Sequence, residues 1–219
     1  YSGVEFARSS NEISANMSRG ISSAVLTMED GRAVNGDLDM LRKFHDQGFR
    51  AIALTWNMEN CFGYPNSKNP EEMSLGLKPF GKDAVRYMQD IGILVDVSHL
   101  SDGGFWDVSQ ICQKPFIASH SNCRALSPSP RNLTDEMIRS LADKGGVAGL
   151  NFLPGFIESD TSSRKTSAQS IALHARHMAD IGGIECVAIG TDFDGFSGEL
   201  DVDDCTKMEL LFSELKNQG

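Results

Sequence analysis

The sequence predicts an α/β fold, a (β/α)8 TIM-type barrel of which about six of the eight strands lie within these 219 residues. Three observations predict it. Short apolar, β-branched runs alternate with amphipathic helical stretches, and each run ends abruptly in a polar or aromatic residue. The connections are too short to hold a separate domain, so 1–219 reads as a single unit. Runs that are apolar throughout suit strands buried on both faces, as in a parallel sheet. An open doubly wound sheet is the alternative, but the G-x-G-x-x-G expected after its early strand is missing, as is a P-loop. Chemistry spread over many strand ends favours the barrel, whose reactive groups gather at its C-terminal rim.

The elements follow in order. The first run is 22–29. Leu38, Leu41 and Phe44 then recur at helical spacing, and Gly48 stands where a C-cap belongs. The second run, 50–56, leads into 63–78, a polar stretch with Pro and Asn that reads as a long loop over the C-terminal face. Val85, Met88 and Ile91 mark a helix closed by Gly92, before the third run at 93–99. Phe105, Val108 and Cys112 line the helix before the fourth run, 115–120. Thr134 as N-cap, Asp135 and Glu136 in the first turn, and Gly145 at the end frame the next helix. The fifth run is 146–151. A helix over 171–181 precedes the sixth, 186–192, and 208–215 is the last helix.

Composition narrows the partners. Hydrophobic residues make up 40% and charged residues 23%, which is ordinary for a folded domain. With 20 Lys+Arg against 30 Asp+Glu, the net charge of −10 excludes nucleic acid, which needs a basic face. No apolar run approaches the roughly 18 residues that would span a bilayer, so no membrane anchor is expected, and the opening residues lack a signal-peptide pattern. Cys61, Cys112, Cys123, Cys186 and Cys205 are scattered and form no C-x-x-C pair, which points to a reducing compartment, the cytoplasm.

The strand ends supply Glu29, Trp56, His99, His120, Asn151 and Asp192. In a parallel sheet these side chains converge on one face. Glu, two His and Asp are a ligand set for a divalent transition metal, which acidifies water toward a pKa of about 7. A single histidine at a strand end is more often structural; two on successive strands, joined by Glu29 and Asp192, favour ligation. His174 and His177, at i and i+3 in a helix without Glu-x-x-His or His-Glu-x-x-His, read as packing residues. His45 reads as solvent-facing. Ser98, Ser119 and Ser121 flank the histidines without a G-x-S-x-G elbow, and Cys123 has no evident activating setting. Asp201, Asp203 and Asp204 read as a solvated loop or helix start.

Five stretches in order resemble one family: LTMEDG (26–31), DVSHLSD (96–102), IASHSNCRAL (117–126), PRNLTDEMI (130–138) and IGTDFDG (189–195). They are similar to the membrane dipeptidase (renal dipeptidase, peptidase M19) family, zinc hydrolases of the metal-dependent hydrolase type of barrel, over about 24–195. The resemblance implies that Glu29 bridges two zinc ions and that His99 and His120 complete the second. It implies that Arg131 holds the substrate's terminal carboxylate, a task suited to a guanidinium fork. Asp192 would move a proton from water to the leaving amine of a dipeptide. Asn151 and Asp194 stand beside it as supporting residues, and Asn151 is also a candidate substrate contact. Trp56, in Thr55-Trp56-Asn57, replaces a histidine that helps bind the substrate carbonyl in animal members; its indole can donate a hydrogen bond but not accept one. A homodimer is expected from the family.

The family's first strand ends in His-x-Asp, the ligands that complete the first zinc, and no His-x-Asp occurs here. The expectation is a portion of a longer barrel, lacking N-terminal strands and the C-terminal end, with ligands for one zinc only and inactive by itself. Two other readings stay open: hydrolysis of an N-acyl amino acid or lactone on the same barrel, and a non-catalytic metal- or peptide-binding relative.

Overall fold

Each of the six apolar runs lies in a parallel ladder of the computed structural model, which describes residues 3–219. The strands are β1 (Val4–Phe6), β2 (Ser22–Ala24), β3 (Leu26–Glu29), β4 (Phe49–Ala53), β5 (Leu94–Asp96), β6 (Ala148–Leu150), β7 (Lys165–Thr166), β8 (Val187–Ile189) and β9 (Glu199–Leu200). The helices are α1 (Ser10–Ser18), α2 (Leu38–Gln47), α3 (Pro70–Met73), α4 (Pro79–Ile91), α5 (Asp102–Ile111), α6 (Asp135–Asp143), α7 (Pro154–Ile157), α8 (Ala168–Gly182) and α9 (Met208–Gln218). Strands β3, β4 and β5 pair in chain order. Parallel bridges from Asp96 to Ile117 and from Ala118 to Ala148 carry the ladder across 115–120 to β6, which pairs with β8. Two separate parallel pairs, β1–β2 and β7–β9, lie outside this ladder. The architecture is therefore α/β with parallel strands joined through helices.

Two runs differ from their expected form. The run 22–29 divides at Val25: β2 pairs with β1 and β3 with β4, with a register shift at Leu26/Thr27. One continuous apolar run thus serves two neighbours in succession, which periodicity cannot reveal. The run 115–120 makes bridges rather than a strand. Pro115 has no N–H to give, the Ile117 N–H donates to Val95 and the Ala118 N–H donates to Val147 on the opposite side.

The helices bury the faces that their spacing implied. Leu41 of α2, Val85 and Met88 of α4, Phe105 and Val108 of α5, and Met137, Ile138 and Leu141 of α6 join one core with Ile52, Val95, Phe116 and Leu150 from the ladder. Gly48 and Gly92 close α2 and α4 in the left-handed conformation, φ 107° and 84°, as a C-cap glycine allows. Thr134 accepts from the Met137 N–H at the start of α6. Helix α1 escapes the periodicity because Asn16 is its buried residue and no apolar stripe exists to mark it. Within the ladder, a Cβ on either Gly149 or Gly190 would collide with the Ser119 carbonyl oxygen. Close backbone approach requires glycine at both places.

His174 and His177, away from the ladder, have structural partners. His174 is 2% exposed. Its Nδ1 accepts the Cys123 N–H at 3.1 Å and its Nε2 donates to the Ile157 carbonyl at 2.8 Å, which requires the neutral ring. Burial pushes its pKa down to about 4. His177 pairs with Asp135 at 2.8 Å. His45, expected to face solvent, is half-buried, with Nδ1 lacking a hydrogen bond among the described residues.

His174 carries a pH prediction. Its folded pKa lies below the unfolded value near 6.5, so its contribution is complete above pH 6.5 and is lost as pH falls toward 4. The gap corresponds to about 3 kcal/mol. Urea unfolding of the full-length protein should show that loss between pH 7.5 and 4.5, and His174→Gln should remove it. An unchanged slope in the variant would assign the acid sensitivity elsewhere.

Candidate metal centre

A parallel ladder in chain order brings successive strand ends side by side. Glu29 closes β3, His99 follows β5, His120 ends 115–120 and Asp192 follows β8. Glu29 Oε1 lies 3.0 Å from His99 Nε2 and 3.4 Å from His120 Nε2. The two Nε2 atoms are 2.9 Å apart. Ligand bonds of about 2.0–2.1 Å in a tetrahedral site put neighbouring donors about 3.3 Å apart. The three donors therefore match the edges of one coordination shell, and they are the residues among those described that meet the geometry of a shared ion. Two imidazole nitrogens and a carboxylate oxygen fit zinc or a similar transition metal.

The electrostatics agree with a cation-ready cluster. The imidazoles of His120 and His99 hold the Glu29 carboxyl far below the usual carboxylate range. Burial lowers the His99 pKa, and the neighbouring Arg131 and His120 lower it further against Glu29. His99 and Asp192 both adopt left-handed backbone, φ 69° and 60°. For residues other than glycine such strain costs of order 1 kcal/mol or more, and it concentrates at functional positions.

Behind His120 stands a hydroxyl. Ser119 Oγ is 2.7 Å from His120 Nδ1 and also bonds the Asp96 carboxylate. Asp96 Oδ1 accepts the N–H groups of Ser98 and Ser119, each at 2.9 Å. His99 has no such support: its buried Nδ1 lacks a hydrogen bond among the described residues. Asp96 and Ser119 carry no sequence signal of their own. Their mark is position, one at the end of β5 and one beside the second histidine.

Arg131 lies in the loop before α6 and is 7% exposed. It donates to the His120 carbonyl at 3.2 Å and to Ser121 Oγ at 3.5 Å, while its Nε is unpartnered among the described residues. The guanidinium rests 5.4 Å from the centre of the Phe156 ring. Burial pulls its pKa down to about 10, opposed by the carboxylates of Asp96, Asp192 and Glu29. It remains a cation at neutral pH. It opens onto a cleft of about 810 Å³ that Met73, Leu153 and Phe156 also line. A separate hollow of about 160 Å³ is bounded by Glu29, Asp96, His120 and Asp192.

Of the two roles expected for Asn151, support of Asp192 and contact with substrate, the structure shows the first and not the second. Asn151 is fully buried, without surface to offer a substrate. Its Oδ1 accepts the Leu153 N–H at 2.7 Å, which sets the amide so that Nδ2 donates to Asp192 Oδ2 at 3.0 Å. Asn122 exchanges two bonds with the Asn151 backbone, and its own N–H donates to Asn132 Oδ1. Three buried asparagines thus tie the Arg131 loop to the strand end that carries Asp192. Asp194 is exposed and makes no hydrogen bond to this group among the described residues. Trp56 is 47% exposed at the rim, its ring 6.4 Å from that of His99.

Other candidates are structural. Burial pushes the Cys123 thiol up to about 12, and its Sγ–H points to the His174 carbonyl. Asp201 accepts the Ala168 N–H, Asp203 pairs with Lys207 and Asp204 caps residues 205–207.

The chain is similar to several known proteins. Residues 1–219 match the family described as Membrane dipeptidase (Peptidase family M19). The chain is 33% identical over 202 residues to a Klebsiella pneumoniae protein encoded in the pqqA 5' region, covering 89% of this chain and 73% of that one. It is also 33% identical over 218 residues to the dipeptidase verJ of Clonostachys rogersoniana, covering 97% and 54%. A crystal structure of a metallopeptidase from Rhodobacter sphaeroides, liganded with a phosphinate mimic of the dipeptide L-Ala-D-Ala, superposes with a TM-score of 0.91 at 30% identity. The chain covers 64% of that structure and about half of verJ. No helix among the described residues is long and apolar enough to cross a membrane.

Proposed function

We propose, from the premise that this chain belongs to the membrane dipeptidase family (peptidase family M19), that the protein it forms part of is a zinc-dependent dipeptidase on a (β/α)8 barrel. The observation that carries this reading is the convergence of Glu29, His99 and His120 at ion-sharing distances beside a buried Arg131 with an unpartnered Nε. A divalent cation held by these three residues supplies polarisation of the scissile carbonyl and acidification of water. The rest is the work of side chains. Arg131, cationic and screened from solvent, takes the substrate's terminal carboxylate. Phe156 and Met73 line the same cleft.

Asp192 takes a proton from the attacking water and delivers it to the peptide nitrogen as the C–N bond breaks, leaving a carboxylate and a free amine. Asn151 holds Asp192 Oδ2 by its amide, which leaves Oδ1 for the proton. Trp56 stands at the rim of the site, where its N–H serves as a donor to the substrate. All five thiols are free, which supports a reducing, cytoplasmic setting.

The test compares dipeptides with N-acyl amino acids of matched side chain on the full-length, metal-loaded protein. Selective turnover of dipeptides is expected; preference for the N-acyl substrates would replace this reading with the wider amide-hydrolase one. Arg131→Lys should raise KM for dipeptides by about 10- to 100-fold, because a charged hydrogen bond contributes about 1.5–3 kcal/mol. A smaller effect on kcat is expected, and an unchanged KM would remove Arg131 from substrate binding.

A further inference from the structure

We infer that Asp96 and Ser119 act as a positioning relay that fixes the tautomer of His120, keeping the proton on Nδ1 and a free lone pair on the Nε2 that faces Glu29 and His99. The inference rests on the metal-centre reading above, and its primary readout needs neither metal nor substrate.

The proton count decides it. An ionised carboxylate only accepts, whereas a serine hydroxyl has one proton to donate. Ser119 Oγ touches both Asp96 Oδ2 and His120 Nδ1. Its one proton goes to Asp96, so toward the ring the hydroxyl can only accept, and the ring must supply an N–H at Nδ1. A neutral imidazole then has its lone pair on Nε2.

The relay is held rigidly at each point. Both the Ser98 and Ser119 N–H groups anchor Asp96 Oδ1, and the His120 N–H is held by Ser98 Oγ at 3.0 Å. Gly149 and Gly190 close around the Ser119 carbonyl, where no side chain would fit. The Ser119 backbone therefore cannot shift without disturbing two strands, and its hydroxyl is held by its bonds to Asp96 and His120.

His99 takes the opposite tautomer in the metal-free protein. With His120 Nε2 as an acceptor at 2.9 Å and Glu29 Oε1 at 3.0 Å, the His99 proton belongs on Nε2. That agrees with its buried Nδ1, which finds no partner among the described residues. The two histidines are thus unequal: His120 is preset to ligate, while His99 must move its proton to Nδ1 when an ion arrives.

Nitrogen-15 NMR of the metal-free full-length protein at pH 8 tests this directly. A protonated Nδ1 on His120 and a protonated Nε2 on His99 are expected. Asp96→Asn reverses the relay: the amide can donate to Ser119 Oγ, whose proton then turns to His120 Nδ1 and forces the ring proton to Nε2. That variant should bind Zn²⁺ about 10- to 100-fold more weakly in a chelator competition. Ser119→Ala should leave His120 a mixture of tautomers, and Ser119→Thr should restore the wild-type spectrum. A protonated Nε2 on His120 in the wild-type protein overturns the inference, as does an Asp96→Asn variant with unchanged ring signals. If the ring signals behave as expected but Zn²⁺ affinity is unmoved in every variant, the relay stands and the metal-centre reading fails.

Discussion

His120→Ala is expected to lower kcat/KM for dipeptides by about three orders of magnitude or more. Two losses combine in this variant. One ligand of the three is removed, leaving Glu29 and His99 at 3.0 Å as a pair too weak to retain an ion. The Lewis-acid contribution that departs with the ion is worth several kcal/mol, and each 1.4 kcal/mol is tenfold in rate. Elemental analysis of the dialysed full-length protein should show the metal content falling together with activity. Glu29→Gln should behave similarly, since a neutral amide loses the charge that draws the cation. His177→Gln is the control: that ring pairs with Asp135, away from the cluster, and activity should persist. A His120→Ala protein with full metal content and full turnover would end the assignment of this site.

Asp192→Asn should lower kcat by about 10²- to 10⁴-fold, the range for loss of a positioned general acid–base group. Metal content should stay at the wild-type level, because Asp192 is outside the three-donor cluster. The amide preserves the side chain's shape yet cannot accept and return a proton. The profile of kcat against pH should lose its acidic limb while KM changes little. Asn151→Leu should reproduce part of the defect, about tenfold, by freeing Asp192 Oδ2 from its 3.0 Å bond. A variant that loses its metal, or one that keeps its kcat, would show that Asp192 does not carry the proton.

Much of the fold was legible because strands of a parallel ladder are apolar along their length. Strands β4, β5 and β6 are largely buried, whereas β2, β3 and β8, expected to be buried on both faces, are partly exposed. All six apolar runs fall on ladder positions, and Gly48, Gly92 and Thr134 cap the helices they were expected to cap. Illegible elements share one property, a lack of apolar surface to write a pattern. Helix α1 buries Asn16 rather than a stripe, β1 is three exposed residues, and β7 and β9 are two residues each. The division of 22–29 was hidden because both halves are apolar, and only partner choice separates them.

Among the site residues, the line runs between type and contact. Glu29, His99, His120 and Asp192 could be picked out because strand ends in a parallel ladder share one rim, and donor chemistry at a rim is visible in sequence. Asn151 was placed on its strand end with two tasks open, support of Asp192 and contact with substrate. Whether an asparagine meets substrate or a neighbouring carboxylate depends on a single buried amide bond formed across 41 positions.

The sequence by itself therefore determined the α/β alternation, the rim that gathers the reactive groups and the chemical types standing there. Periodicity and chain order are local quantities, and a parallel ladder turns them into neighbourhood with little freedom. The tertiary structure alone decided the distances of 2.9 to 3.4 Å among three donors, the burial that leaves Arg131 Nε unpartnered among the described residues, and the hydroxyl between Asp96 and His120. Such features depend on hydrogen-bond direction and on tenths of an ångström between residues remote in sequence. No pattern along the chain encodes them, because they exist only once the strands have packed.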